Sequence, residues 1–268
     1  MRHYASDKPI IEIKKLGTCF DGVWVHKNLN LTIYPNRIIT IIGASGCGKT
    51  TLVREILMLQ PITEGEIYLN GEKISNYDIE DVKTKTVLSQ VGMMFQQSAL
   101  FSSLTALENV MFPLMEYTDF SEDVITEIAH LKLRLTGLPD NAHNRYPTEI
   151  SGGMLKRVAL ARTLALDPAV IFLDEPCAGL DPNSASGFDE LISDLQQQLG
   201  LTVILVTHDL ESMWSISDEV VYLGNKKVLL HDTITNAAND KSIPELYEYF
   251  NGPRGKVVKA FYVKLNNN

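Results

Sequence analysis

The chain has 268 residues, with 24 Lys and Arg against 33 Asp and Glu for a formal net charge of -9, and 45% of its residues are hydrophobic. That length supports one large domain or two small ones with a real core, and no apolar run approaches the ~18 to 20 residues of a spanning helix. The acid surplus argues against sequence-independent nucleic-acid binding, which needs Lys and Arg gathered on one face. Residues Met1 to Lys8 lack an apolar stretch followed by a small-residue cleavage site, so no secretory signal is expected and a cytosolic location is the default. Cys19, Cys47 and Cys177 are odd in number and widely spaced, without a CxxC or a nearby His pair, which predicts buried free thiols rather than a disulfide framework or a zinc site.

Taken in chain order, Ile10 to Ile13, Leu29 to Ile33 and Ile38 to Ile42 are β-branched-rich runs that predict strands. Thr50 to Leu59 predicts a helix. From about Ser98 to Ile150 the residues follow helical spacings, including a helix over Ser121 to Leu135, and a further helix is expected over Ser151 to Leu166. The strand Val170 to Leu173, the helix Asn183 to Leu199 and the strand Thr202 to Val206 follow. The runs at Ile38, Val170 and Thr202 are nearly continuous apolar stretches, as expected of parallel strands covered on both faces. A short helix over Glu245 to Phe250 leads into a tail, Gly252 to Lys264, with four basic residues and no acid. That tail is either a solvated extension or a docked segment, and its Val-Val-x-Ala-Phe-Tyr-Val content suits packing on a partner subunit. The expected fold class is α/β: a core with a parallel sheet, an added antiparallel β part and an inserted α-helical subdomain. The corresponding boundaries are 1–97 and 160–243 for the core, 98–159 for the insertion, and 244–268 for the terminal helix and tail.

Gly43-Ala44-Ser45-Gly46-Cys47-Gly48-Lys49-Thr50 fits GxxxxGK[ST] directly after a strand and at the opening of a helix. Glycines let successive N–H groups turn inward, and the helix N-terminus adds partial positive charge, which makes a nest for the α- and β-phosphates of a nucleotide. Lys49 is expected on the β- and γ-phosphates, the Thr50 hydroxyl on Mg²⁺, and Thr51 near the α-phosphate, as in P-loop NTPases. A dinucleotide fingerprint fails at its third glycine, where Thr51 stands. Farther on, the strand Val170 to Leu173 ends in Asp174 and Glu175. Asp174 at the strand's C-terminal edge suits Mg²⁺ held through water, and Glu175 suits a general base on the attacking water.

Ile150-Ser151-Gly152-Gly153-Met154, opening the helix that continues through Lys156-Arg157-Val158, resembles the LSGGQ signature of ATP-binding cassette proteins. By that resemblance Gln96 is the Q-loop glutamine and a metal ligand, Gly179-Leu180-Asp181 the D-loop, and His208 the switch histidine. The adenine-stacking aromatic is Phe20 by spacing, with Trp24 as a rival. The resemblance implies a dimer in which Ser151, Gly152 and Gly153 of one copy meet the γ-phosphate on the P-loop of the other, with Asp181 linking the two sites. ATP, held by Phe20, Gly43, Ser45, Gly46, Cys47, Gly48, Lys49, Thr50 and Thr51, and Mg²⁺ are the implied cofactors.

Met154 replaces the family's usual glutamine. Together with Met93-Met94-Phe95-Gln96, Ala99-Leu100-Phe101 and Glu108 to Leu114, it resembles the ATPase subunits of Mla/Mce-type phospholipid transporters. That likeness implies an integral membrane permease, an MCE-domain protein and a STAS-domain protein as partners, no nucleic acid, and a peripheral location at the cytoplasmic face of the inner membrane. Exposed Met and Phe residues of the insertion would then receive the permease. The alternatives are the ATPase of an importer for amino acids or another small solute, and a soluble cassette protein. The latter usually carries a long coiled-coil insertion or two cassettes, and neither is visible here.

Overall fold

Alternating burial starts the chain as an antiparallel hairpin, β1 (Ile11–Phe20) against β2 (Val23–Ile33). The two are joined by Asp21 and Gly22, both at positive φ, as a tight two-residue turn requires. This computed structural model describes residues 8–75 and 86–265, so the reading of residues 1–7 lies outside it, and side chains are described as far as Tyr262. Two compact units divide the chain, Met1–Ile79 with Ile192–Asn268 and Glu80–Leu191.

In the first unit β1 also pairs with β4 (Glu64–Leu69), which pairs with β5 (Glu72–Lys73), giving an antiparallel sheet in the order β2-β1-β4-β5. The second set of strands in this unit is centred on β3 (Ile38–Gly43), whose first five residues are fully buried, and β3 runs parallel to both β8 (Thr202–Val206) and β9 (Glu219–Gly224). The strand β10 (Lys227–Thr233) closes an antiparallel hairpin on β9. Buried on both faces, β3 and β8 have the continuous apolar character of covered parallel strands. Helix α1 (Lys49–Ile56) follows β3.

The short helix α7 (Ile234–Ala237) follows β10, and the C-terminal helices α8 (Pro244–Asn251) and α9 (Pro253–Leu265) pack on this unit. Leu246 and Phe250 are fully buried in a cluster with Met213, Trp214 and Ala237, and Val258 and Tyr262 lie against it. Lys259 Nζ donates to Asn239 Oδ1 at 2.7 Å and Asn251 Oδ1 at 2.9 Å. The basic tail is therefore a docked helix that spends part of its apolar surface on its own unit, while Val257 and Phe261 stay exposed.

In the second unit β6 (Val91–Met94) runs parallel to β7 (Val170–Asp174). Helices α2 (Ala106–Tyr117), α3 (Glu122–Leu135) and α4 (Gly152–Thr163) enclose a cluster that includes Val110, Leu114, Ala129, Leu133, Val158 and Ala161. Thr105 opens α2 with a reciprocal capping box to Glu108. Asn109, buried inside that helix, binds the Phe101 backbone through both amide atoms at 2.9 and 3.1 Å. Helix α5 (Pro182–Leu199) follows β7 and its loop.

Several sequence expectations need correction. The helix expected to reach Leu59 ends at Ile56, because Met58 adopts a left-handed conformation. The helix expected to reach Leu166 ends at Thr163. Strands β4, β5, β6, β9 and β10 add to the expected set, and the first two strands are much longer than their apolar blocks, because exposed Lys and Asn residues continue the pairing. The cysteines form no disulfide, yet none is fully buried: Cys19, Cys47 and Cys177 lie at half-covered positions near a hairpin end, in a loop and after a strand.

Candidate functional site

The loop Gly43 to Thr50 is shaped by two glycines that admit no side chain. A Cβ on Gly43 would lie 2.4 Å from the Leu223 carbonyl oxygen, and one on Gly48 would lie 2.5 Å from His26 Cε1 and 2.8 Å from Val25 Cγ1. Gly48, at φ 102, opens α1 without any side-chain cap, and the first turn carries no acid. The helix N-terminus thus keeps its amides and partial positive charge for an anion. Lys49 is buried and folds back over the loop, its Nζ donating to Gly43 O at 2.8 Å and Ala44 O at 3.2 Å. Ser45, Gly46 and Thr50 face solvent, with Cys47 and Thr51 half-covered. The loop has the geometry of a phosphate cradle, and the Thr50 hydroxyl offers oxygen chemistry that suits Mg²⁺.

Parallel pairing brings a second element to the same edge of this unit. Ile41 pairs with Val206, so the loop after β3 and His208 beyond β8 leave the sheet on one side. His208 is exposed, and its carbonyl accepts a hydrogen bond from the Tyr249 hydroxyl at 3.1 Å, which ties it to the C-terminal helices. Asp209 caps the next helix, α6 (Leu210–Ile216), by accepting from Glu211 N at 2.9 Å. Phe20 ends β1 exposed, whereas Trp24 is half-covered and has the Lys27 ammonium 5.6 Å from its ring centroid. Both aromatics lie on the hairpin whose Val25 and His26 press on Gly48.

The second unit gathers its own candidates at one sheet edge. Met94 pairs with Leu173, so Gln96 and the Asp174-Glu175 pair follow neighbouring parallel strands at their C-terminal ends. Strand β7 stops at Asp174, and Glu175 leaves it at φ 45. Its direction is therefore set by a left-handed residue rather than by strand alternation, a strained backbone of the kind found at working sites. Gln96 is exposed and its carbonyl accepts from Lys156 Nζ at 2.5 Å. Arg162, from the same helix α4, donates to Ser98 O at 2.7 Å and Ala99 O at 2.8 Å, two residues in left-handed conformation. Burial lowers the Lys156 pKa, opposed by Cys177 and Glu175. This clamp joins segments 60 and more residues apart and had no sequence signal beyond two basic residues in a helix.

Ser151 caps α4, its Oγ accepting from Met154 N at 3.3 Å. Gly152 and Gly153 have open space where side chains would stand, so this helix N-terminus too presents bare amides. Met154 packs against the helical cluster. Asp181 caps the start of α5 through Asn183 N and Ser184 N, both at 3.1 Å, and these bonds with the Ser184 hydroxyl hold its carboxyl below the usual range.

The ABC transporter family matches residues 26–178. The intermembrane phospholipid transport ATP-binding protein MlaF of Haemophilus influenzae is 38% identical over 84% of this chain and 84% of its own length. The glutamine transport ATP-binding protein GlnQ of Geobacillus stearothermophilus is 32% identical over 91% of this chain and 93% of its own. Among solved structures, the dimeric post-hydrolysis state of the ATP-binding cassette MJ0796 bound to ADP and Pi superimposes with a TM-score of 0.75, at 32% identity over 84% of this chain and 98% of that one.

Proposed function

The chain belongs to the ABC transporter family, whose members hydrolyse ATP to drive transport, and from that premise we propose that it powers the movement of phospholipids as a dimer sandwiching two ATP. The observation that carries the nucleotide chemistry is the glycine-enforced cradle at Gly43 to Thr50 with Lys49 folded over it. On nucleotide binding Lys49 exchanges its two carbonyl partners for phosphate oxygens, a charge-assisted gain. The bare helix N-terminus at Gly48 stabilises the same anion. Mg²⁺, which the Thr50 hydroxyl and the Gln96 amide oxygen would hold directly and Asp174 through water, would neutralise phosphate charge.

Glu175 takes the proton of the attacking water, and His208 and Gln96 contact the γ-phosphate region. The Ser151 helix N-terminus and Asp181 act across the dimer, so each site is complete only with a second copy. Gln96 and Glu175 are coupled to the signature helix through Lys156, whose ammonium holds the Gln96 carbonyl and feels the Glu175 charge.

The cargo reading rests on the likeness to MlaF and on Met154, together with an apolar face in the helical segment. There Phe112 and Met115 are exposed and Phe101 lies against Phe112 at 4.9 Å. Such a face suits a permease segment, with an MCE-domain and a STAS-domain protein completing the complex at the cytoplasmic face of the inner membrane. The likeness to GlnQ over 91% of the chain favours an amino-acid importer as a second reading. Purification of the tagged chain from its native membranes, followed by mass spectrometry of co-purified subunits and bound lipid, separates the two. An MCE-domain subunit with phospholipid supports the first reading, whereas a solute-binding protein and an amino-acid permease overturn it.

A further inference from the structure

Directly beneath the phosphate cradle lies a buried polar cluster that the nucleotide chemistry does not use. His26 on β2 is fully buried, as are Glu55 on α1 at 2% exposure and Thr18 on β1 at 1%. The Thr18 hydroxyl donates to Glu55 Oε1. Among the described residues Glu55 Oε2 has no hydrogen-bond partner, the His26 ring has only the Gly48 backbone beside it, and the 3.7 Å from His26 Nε2 to Glu55 Oε2 is too long for a hydrogen bond. Unpartnered buried polar atoms are costly and call for an explanation. The ring is also where a Cβ on Gly48 would fall, so His26 is the floor on which the cradle's last glycine rests.

We propose that His26 and Glu55 are positioning residues that hold one proton under the phosphate loop, so that nucleotide binding is coupled to proton uptake. The proposal rests on the nucleotide reading of the loop given above. With the proton on the pair, the cluster is neutral and the loop sits on an uncharged floor. Without it, Glu55 is a buried anion. Seven residues along the helix from Gly48 put it about 10 Å from the nest, facing the phosphates through protein rather than water. Phosphate binding therefore draws a proton from solvent onto the pair, and by reciprocity loss of that proton weakens nucleotide binding.

Burial raises the Glu55 pKa to about 7, opposed by the Thr18 hydroxyl, and burial lowers that of His26 to about 4, opposed by the Gly48 backbone. The exchange thus falls at physiological pH. The other charged groups on these elements do not reach the pair: Lys49 is engaged by Gly43 and Ala44, and Lys27 and Arg54 face solvent. For a doubly charged nucleotide at about 10 Å in a nest open to solvent, an effective dielectric of about 50 to 70 makes the coupling about five- to tenfold in affinity.

Binding of a non-hydrolysable ATP analogue with Mg²⁺ to the full chain, measured by calorimetry between pH 6 and 8.5, tests this with Glu55→Gln as the neutral mimic. The expected result is that wild type and variant bind alike at pH 6, that wild type binds about five- to tenfold more weakly at pH 8.5, and that wild type alone takes up an additional fraction of a proton in buffers of different ionisation enthalpy. In the wild-type protein, a carbon-13 carboxyl resonance titrating near pH 7 should shift upward with nucleotide, a readout that needs no variant. Parallel pH profiles for the two proteins, or no carboxyl titrating near neutrality, overturn the proposal. If neither protein binds the analogue at any pH, the nucleotide reading falls and takes the proposal with it.

Discussion

Replacing Glu55 with Gln should change how stability depends on pH, and the opposite displacements of Glu55 and His26 fix the sign. Burial moves Glu55 from its ordinary 4.5 to about 7, so between those values the folded chain keeps a proton that the unfolded chain has lost, and stability falls as pH rises. Burial moves His26 from 6.5 down to about 4, so between those values the unfolded chain binds a proton that the folded chain refuses, and stability rises with pH. Each contribution has a slope of about 1.4 kcal/mol per pH unit, and the two cancel where their windows overlap. Over its whole window each is worth about 3 kcal/mol. Urea denaturation of Glu55→Gln should therefore show a stability gain over wild type that is absent near pH 4, grows through the acid range and reaches about 3 kcal/mol above pH 7, less about 1 kcal/mol for a weakened bond to Thr18. His26→Gln should show the mirror image, a relative gain confined to acid pH. A Glu55→Gln difference that does not vary with pH would refute the reasoning.

Glu175→Gln should bind ATP, accumulate as a dimer on a sizing column and lose at least about a hundredfold in turnover; unchanged turnover would remove Glu175 as the base. Phe250→Ala should cost about 3 to 5 kcal/mol in urea denaturation, because Phe250 is fully buried and packs edge-on to Trp214 at 5.9 Å and to Tyr249 at 5.4 Å. A loss below about 1 kcal/mol would mean that the C-terminal helices are not anchored there.

What could be read in advance follows from how local the causes are. The cradle was legible because its residues are contiguous and because its flanks, an apolar run and a helix start, are themselves local. The core strands at Ile38, Val170 and Thr202 were legible because burial on both faces leaves only apolar residues. Strand β10, with three exposed residues at its end and an edge position, carries no such run, and β4 begins with Glu64-Gly65-Glu66. Their pairing depends on neighbours far along the chain. The Lys156 and Arg162 clamp and the His26–Glu55 pair were hidden for the same reason. Each joins residues whose proximity is decided by strand register and helix packing, and a lone buried His or Glu looks in sequence like a surface residue.

Met154 shows how the folded chain explains a departure that sequence comparison alone leaves as a puzzle. The Ser151 hydroxyl receives the Met154 amide and the Ser151 carbonyl receives the Leu155 amide, so the helix start is closed by Ser151 alone. The amides of Gly152 and Gly153 then remain with no side chain in front of them, as the proposed anion contact requires. The side chain at position 154 takes no part in this arrangement; it lies on the helical cluster, where a thioether packs better than an amide. The proposed anion site would be built from backbone and one hydroxyl, so an apolar residue at 154 leaves those donors intact and changes instead how firmly helix α4 is seated on the helical segment.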